Sequence, residues 1–192
     1  TVGIYQNVSG NQYAPILSGN VSAQLTDEFA PFLRPNQYVN FTENSKAVAK
    51  GAELCQGITD NLKKVEKIYD YVVNNLTYDT QKAASVQSGY LPNVDAVMDS
   101  GKGICFDYAA LMASMLRSQE VPCKLVVGYT GDVYHAWINV WSEEDGWVEG
   151  LIYFDGKVWK LMDPTFASSG NQSNKIMEYI GNGANYKAKY LY

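Results

Sequence analysis

The sequence predicts an α+β fold, in which helices come first and a run of antiparallel strands follows. Over residues 45–76 and again over residues 105–119, apolar side chains recur at spacings of three and four, which is typical of helices that bury one face. From residue 123 onward the apolar pattern alternates, and turn signals separate short segments, which is typical of strands. Helices followed by consecutive antiparallel strands indicate the α+β class.

Length and charge limit the classes of protein that the chain can belong to. The 192 residues fit one main domain over residues 43–192, preceded by an N-terminal extension over residues 1–42 that wraps the core. The net charge is −5 and Lys and Arg form no cluster, which argues against a nucleic-acid partner. No apolar run approaches the roughly 20 residues that span a bilayer. Sparse charge, at 18% of residues, together with 15 tyrosines favours an extracellular or cell-surface location.

After the N-terminal extension, the first half of the chain is predicted to be mainly helical. Within the extension, a short helix is expected at Leu25 to Phe29. One helix should cover Lys46 to Leu54. A second should begin after a cap at Thr59 or Asp60 and end near Leu76, because its apolar residues fall on one face. Residues 77 to 101 are predicted to be loop, with a short helix from Val94 to Asp99.

A central helix is predicted from Cys105 to Gln119. Its first residue, Cys105, shares a face with Ala109, Met112 and Leu116, and Ala110 and Ala113 add small side chains that let neighbouring backbone approach. We therefore expect this helix to be buried. Val121-Pro122 ends it, because proline cannot continue a helix.

Strands are predicted over the second half of the chain. They are Cys123 to Thr130, Tyr134 to Trp141, and a hairpin of Trp147 to Phe154 with Lys157 to Met162 across the turn Asp155-Gly156. The tail after Pro164 is predicted to be loop with a short helix near Lys175 to Ile180.

The three cysteines and one histidine are the residues best suited to chemistry. A disulfide between Cys55 and Cys123 would leave Cys105 as the odd thiol, although spacing alone does not establish that pairing. A zinc site is disfavoured because the cysteines form no CxxC pair. We expect no metal and no other cofactor.

Cys105 is the candidate nucleophile. It follows Gly-Lys-Gly-Ile and begins the predicted central helix, where free N–H groups and the helix dipole favour a thiolate and can receive an oxyanion. Gly103 lacks a side chain, so substrate backbone can come close there. The alternative is that Cys105 is a small core residue.

His135 and Asp163 are the candidate partners of that thiol. His135 begins a predicted strand and has the pKa range of a general base. Asp163 ends the next-but-one predicted strand, where a carboxylate can orient an imidazole. Alone, each has a structural alternative: a lone histidine is often only structural, and Asp-Pro commonly opens a turn.

Three segments in this order resemble the transglutaminase-like superfamily. They are Gly103-Ile104-Cys105-Phe106-Asp107-Tyr108-Ala109-Ala110-Leu111 with the helix and strand that follow it, His135-Ala136-Trp137-Ile138-Asn139-Val140, and Trp159-Lys160-Leu161-Met162-Asp163-Pro164-Thr165. The resemblance covers Lys63 to Thr165. It implies a papain-like arrangement, with the cysteine at the start of a helix that packs on an antiparallel sheet supplying His and Asp.

The resemblance also implies an activity. The family contains protein cross-linking enzymes, cysteine proteases, amidases and members without activity, so a protein or peptide substrate is expected. Tyr78 resembles by position a tryptophan that stabilises the oxyanion in cross-linking members, although packing at a helix end is the alternative. Tyr129, Tyr134 and Trp137 are candidate substrate-binding residues, and core packing is the alternative for the aromatic residues of the strands. Calcium dependence is not implied, because the chain has no room for the calcium-binding insertions.

Overall fold

The architecture combines five α-helices with ten strands in the part of the chain that the computed structural model describes, residues 1–144, 146–149, 152–154, 159–161 and 185–192. The helices α1 to α5 span Lys46–Leu54, Asn61–Asn75, Thr80–Ser85, Val94–Ser100 and Cys105–Ser118, and a 3₁₀ turn covers Ala30–Phe32. The strands β1 to β10 span Val2–Ser9, Gln12–Gly19, Thr77–Tyr78, Lys102–Gly103, Cys123–Thr130, Val133–Ser142, Gly146–Val148, Ile152–Phe154, Trp159–Leu161 and Tyr186–Leu191. The predicted α+β class is confirmed.

Helix α5 is the centre of the fold, as its small residues predict. Every residue from Asp107 to Arg117 is buried. Helices α1, α2 and α4 contact it, and strands β5 and β6 also pack against it. The approach of α1 is close, because a Cβ added to Gly51 would lie 3.2 Å from the carbonyl oxygen of Met115.

Two of the helices that contact α5, α2 and α4, begin at side-chain caps. Asp60 accepts a hydrogen bond of 2.9 Å from the backbone N–H of Lys63, so the predicted cap of α2 is confirmed. Asn93 accepts from Ala96 N–H and starts α4 in the same way. The buried face of α2 includes Val65, Ile68 and Val72 at helical spacing.

The main sheet is antiparallel and has the strand order β10-β5-β6-β7. Alternate residues of β5 and β6, including Val127, Ala136 and Ile138, belong to the core that contains α5. Strand β10 was not predicted. The predicted strand Trp147 to Phe154 is two strands, since β7 pairs with β6 whereas β8 pairs with β9. Alternation in a sequence shows a strand but not the partner that each part of it takes.

The N-terminal region differs from the expectation in two ways. Strands β1 and β2 form a hairpin whose residues are exposed except for half-buried Ala14, so residues 1–28 do not wrap the core. The helix predicted at Leu25 to Phe29 is wrong, because the turn forms at Ala30–Phe32 instead. Pro31 suits the first turn of a helix, which accounts for the shift. The boundary predicted at residue 42 stays a prediction.

Residues 77 to 101 are more ordered than the loop that was expected. They contain α3 and the short strand β3 in addition to the predicted α4. The turn Asp155-Gly156, Asp163 and the helix expected near Lys175 to Ile180 lie outside the described residues. Across the described residues, no helix is long and apolar enough to cross a membrane.

Candidate active site

A cleft of about 470 Å³ opens beside the N-terminus of α5. Cys105 and His135 both line it, together with Tyr78 and Tyr134. The fold therefore brings four of the predicted site residues to one cleft. None of the described lining residues is Asp, Glu, Lys or Arg.

Cys105 is the first residue of α5 and is half-buried. Its backbone N–H therefore has no partner within the helix, and the positive end of the helix dipole lies at its side chain. Residue Ile104 before it is extended, with φ −94° and ψ 173°, so the chain turns sharply into the helix at the cysteine. A backbone donor that can stabilise a developing oxyanion therefore lies at the same residue as the thiol.

The other two thiols are buried in the core. All three cysteines are free, so the disulfide considered between Cys55 and Cys123 is not formed. Burial raises the pKa of the Cys55 thiol, and burial raises that of Cys123 to about 12. A buried thiol that stays protonated is a poor nucleophile. Cys105 is the remaining candidate.

The segment before Cys105 is held by a short parallel pairing of β3 with β4. Thr77 N–H donates to the oxygen of Gly101 and Asp79 N–H donates to that of Gly103, each at 2.9 Å. This pairing places Tyr78 opposite Gly103 and on the cleft wall.

Gly103 is buried and is not among the described residues that line the cleft. A Cβ there would lie 2.7 Å from the Cβ of Asp107, so its lack of a side chain makes room for that residue. The proposed contact of Gly103 with substrate stays a prediction.

Asp107 forms a buried polar network two residues after Cys105. Its Oδ2 accepts from Ile104 N–H at 2.9 Å and from Lys82 Nζ at 2.7 Å, and its Oδ1 accepts from the Tyr90 hydroxyl. Lys82 also contacts Tyr90. The network joins the start of α5 to α3 and to the loop that forms one wall of the cleft.

The pKa values of two members of the network, Lys82 and Tyr90, are raised. Burial disfavours the Lys82 ammonium, but its hydrogen bonds to Asp107 and Tyr90 outweigh this and raise its pKa. Burial and the hydrogen bond to Asp107 raise the pKa of the Tyr90 hydroxyl, so it remains a donor. Sequence reasoning missed this network. The signal that was available is an acidic residue at the third position of a helix, where it can reach the backbone before the helix.

His135 lies on β6 opposite Gly128 and is only 5% exposed. Its ring lies alongside that of Trp137, with centroids 6.4 Å apart and an angle of 21° between the planes. Trp137 in turn packs edge-on against Tyr186 at 5.2 Å. A strand and an aromatic neighbour therefore hold the imidazole. Trp137 itself does not line the described cleft.

Tyrosines from three parts of the chain surround the cleft. Tyr134 is exposed and its ring meets Tyr129 edge-on at 5.4 Å, although Tyr129 lies outside the cleft. Tyr38 and Tyr192, which sequence reasoning missed, line it from opposite ends of the chain. No local signal could have brought these two residues together.

The tryptophans farther along the sheet pack elsewhere. Trp141 and Trp147 contact Phe29 at 4.7 and 6.2 Å, and Trp147 also meets Phe32. They anchor the N-terminal segment to the sheet. These two tryptophans therefore serve packing, which was the alternative to a role in substrate binding. Asp163 lies outside the described residues, and its role stays a prediction.

Comparison with known proteins gives a family and several distant relatives. A family model of the transglutaminase-like superfamily matches residues 48–150, which include Cys105 and His135 but not Asp163. A protein-glutamine gamma-glutamyltransferase of Pseudomonas aeruginosa is 32% identical over 28% of this chain and 10% of its own length. The kyphoscoliosis peptidase of Mus musculus is 26% identical over 61% of this chain and 17% of its own length. The chain thus spans less than a fifth of either relative.

Two solved structures have a similar fold. A candidate cysteine protease from Cytophaga hutchinsonii has a TM-score of 0.53 at 21% identity, covering 73% of this chain and 43% of that one. The periplasmic domain of TgpA from Pseudomonas aeruginosa has a TM-score of 0.52 at 21% identity, covering 74% and 50%. The fold is therefore shared, and the family model matches more than half of the residues. On these grounds the chain belongs to the transglutaminase-like superfamily.

Proposed function

We propose that this chain is a thiol enzyme that hydrolyses or exchanges amide bonds. Cys105 is the nucleophile, His135 the general base and Asp163 the residue that orients His135. One observation carries the proposal: Cys105, at the start of a buried helix, and His135, on a strand that packs against that helix, line the same cleft. Membership of the superfamily supports it.

The reaction proceeds through a thioester. His135 takes the proton of the Cys105 thiol, and the sulfur forms a bond to the amide carbonyl carbon. When the tetrahedral intermediate collapses, the C–N bond breaks and the imidazolium gives its proton to the departing amine. Water or a second amine then attacks the thioester, the C–S bond breaks, and the thiol is regenerated.

The intermediate needs donors where its oxyanion forms. The backbone N–H of Cys105 is one, because it has no partner within the helix. Tyr78 is the second, since it lines the cleft and is paired with the segment just before Cys105. Asp163 is assigned its role from the resemblance of its segment to the family pattern.

The substrate is a protein or peptide amide. None of the lining residues in the described part of the chain is Asp, Glu, Lys or Arg, which favours a neutral amide, such as a glutamine side chain or a peptide bond, over a carboxylate or an ammonium group. The names of two relatives, a protein-glutamine gamma-glutamyltransferase and a peptidase, agree with this class.

An extracellular or cell-surface location belongs to the same proposal. It rests on the low content of charged residues and the high content of tyrosine. Fractionation of cells that make the protein checks it, and recovery in the cytosolic fraction would count against it.

The pH dependence of iodoacetamide labelling tests the function. Labelling is read residue by residue by mass spectrometry on the wild type and on His135→Ala. We expect Cys105 to react well below pH 8, and this reactivity to disappear without His135. Cys55 and Cys123 are internal controls, because both are buried thiols with raised pKa values. An Asp163→Asn variant should lose amide turnover by roughly 100-fold or more.

The rival interpretation is a binding domain that keeps the fold without the chemistry. It predicts that Cys105 reacts like an ordinary thiol with a pKa of about 8.5, equally fast with and without His135. That result would remove the enzyme proposal.

A further inference from the structure

A continuous row of aromatic rings runs along the cleft and past its end. Ring centroids are 6.5 Å apart for Tyr90 and Phe106, 5.8 Å for Phe106 and Tyr38, 4.3 Å for Tyr38 and Tyr192, and 6.3 Å for Tyr192 and Tyr190. We name these five residues the aromatic strip. Four of them line the cleft, and Tyr190 lies outside it. The strip therefore begins beside the nucleophile and leads away from it.

The main sheet supports the outer end of the strip. Tyr190 of β10 pairs with Val127 of β5, so the two side chains share one face of the sheet, and Val127 lines the cleft. Tyr190 is nevertheless 44% exposed. A chain lying on this face would pass from the cleft directly onto Tyr190.

Two lysines, Lys187 and Lys189, lie at the same outer end of the aromatic strip, near Tyr190. The Lys189 ammonium lies 5.1 Å from the centroid of the Tyr190 ring, and a hydrogen bond with Tyr190 raises its pKa, so it stays charged. Lys187, two residues before Lys189 on β10, pairs with Tyr129. This end is thus locally basic in a chain whose net charge is −5.

We propose that the aromatic strip binds the polypeptide that flanks the reactive amide, and that it selects apolar or aromatic residues and disfavours basic ones. The inference rests on the proposed function, because it assigns a subsite of that reaction. Tyrosine rings bury large flat areas at a low cost in side-chain entropy. Like charges at Lys187 and Lys189 repel a substrate lysine or arginine.

Peptide binding to the Cys105→Ala protein tests the strip without requiring turnover. The probes are capped heptapeptides with a central glutamine flanked by glycine, by phenylalanine or by lysine, and calorimetry gives the Kd of each. We expect the phenylalanine peptide to bind about tenfold more tightly than the glycine peptide. The lysine peptide should bind more weakly than either, and Lys189→Gln should reduce that difference.

Single-residue variants test whether the preference for phenylalanine comes from the outer end of the aromatic strip. Tyr190→Ala, with Tyr129→Ala as a second variant of the same end, should remove most of the preference for phenylalanine. Tyr13→Ala is the control, because Tyr13 is 60% exposed on the hairpin of β1 and β2. Circular dichroism checks that each variant is folded.

The outcomes separate this inference from the proposed function. Equal Kd values for the three peptides, or a preference that survives Tyr190→Ala, overturn the strip even if Cys105 labels as an activated thiol. An inert Cys105 overturns the enzyme proposal but leaves the peptide preference measurable. If cellohexaose binds in a Tyr190-dependent way and the peptides do not, the strip recognises a glycan and the inference fails.

Discussion

Asp107 is a buried carboxylate that joins two parts of the site 25 residues apart in the chain. Its three donors are a backbone N–H, an ammonium and a hydroxyl. A buried charge is stable only when it is paired and hydrogen-bonded, so each donor depends on the others. Because the backbone donor is Ile104, the network also fixes the turn that presents Cys105.

A double-mutant cycle measures this coupling. Lys82→Met leaves the Asp107 carboxylate buried without its counter-ion and should lower the free energy of unfolding by about 3 kcal/mol. Asp107→Asn should also destabilise, whereas the double variant should cost less than the sum by about 1 kcal/mol or more. Urea unfolding gives these values. The rate of Cys105 alkylation should fall in both single variants. If the double variant loses the sum of the two single losses in free energy of unfolding, Lys82 and Asp107 do not stabilise each other.

Cys123 should make the folded protein less stable at alkaline pH. Its pKa in the folded protein is about 12, whereas an unfolded thiol ionises near pH 8.5. Below pH 8.5 both states keep the proton, so the thiol has no effect. Between pH 8.5 and 12 only the unfolded state loses it, so stability falls by about 1.4 kcal/mol per pH unit.

The Cys123→Ala variant isolates that effect. Its cavity should lower stability at pH 7, but the difference from wild type should shrink as pH rises above 8.5. Unfolding under reducing conditions from pH 7 to 10 measures the difference. A difference that stays constant with pH would mean that Cys123 ionises in the folded protein.

The sequence could predict the role of a single residue where that role depends on its neighbours in the chain. Cys105 could be found because a helix start and its glycine-rich approach are readable from neighbouring residues. The prediction that the fold brings His135 to the same cleft agrees with the structure. Lys82 and Tyr90 could not be found, because their importance arises from Asp107, which lies far from them in the chain.

At the scale of elements, the pairing of β10 with β5 depends on one glycine. A Cβ added to Gly128 would lie 2.1 Å from the carbonyl oxygen of Lys187 and 2.8 Å from the ring of Trp137. The first of these atoms is backbone and has little freedom to move. Strand β10 can therefore lie this close only because residue 128 has no side chain.

Gly128→Ala is expected to displace β10. The free energy of unfolding should fall by about 2 kcal/mol or more, and the amides of Tyr186–Leu191 should lose hydrogen-exchange protection. Gly19→Ala is the control, because nothing lies within 4 Å of its Cβ position. Retained protection of β10 in the Gly128 variant would contradict the close approach.

Elements were predicted well where burial leaves a pattern in the sequence. The predicted bounds Lys46 to Leu54 and Cys123 to Thr130 match α1 and β5. Helix α1 buries two residues at helical spacing, and β5 buries six of its eight residues. Strand β10 leaves no such pattern, since its residues are exposed apart from half-buried Tyr186. Its backbone pairing comes from the fold rather than from its own side chains.

At the scale of the whole molecule, Arg117 connects segments from both ends of the chain. Its guanidinium is almost fully buried at the C-terminal end of α5 and donates to the backbone oxygens of Cys123, Arg34 and Tyr192 at 2.9, 2.8 and 2.7 Å. Arg34 belongs to the segment that carries Phe29, which packs on Trp141. The folded unit thus includes residues that the sequence assigned to an extension.

Two truncations locate where the folded unit begins. Removal of residues 1–27 deletes only exposed residues and half-buried Ala14, so the free energy of unfolding should change by less than about 0.5 kcal/mol. Removal of residues 1–42 also deletes fully buried Val39 and the carbonyl partner of Arg117, and should cost about 4 kcal/mol or more. Urea unfolding followed by tryptophan fluorescence measures both. If the longer truncation were as stable as the shorter one, residues 28–42 would contribute nothing to the folded unit, and the boundary predicted at residue 42 would stand.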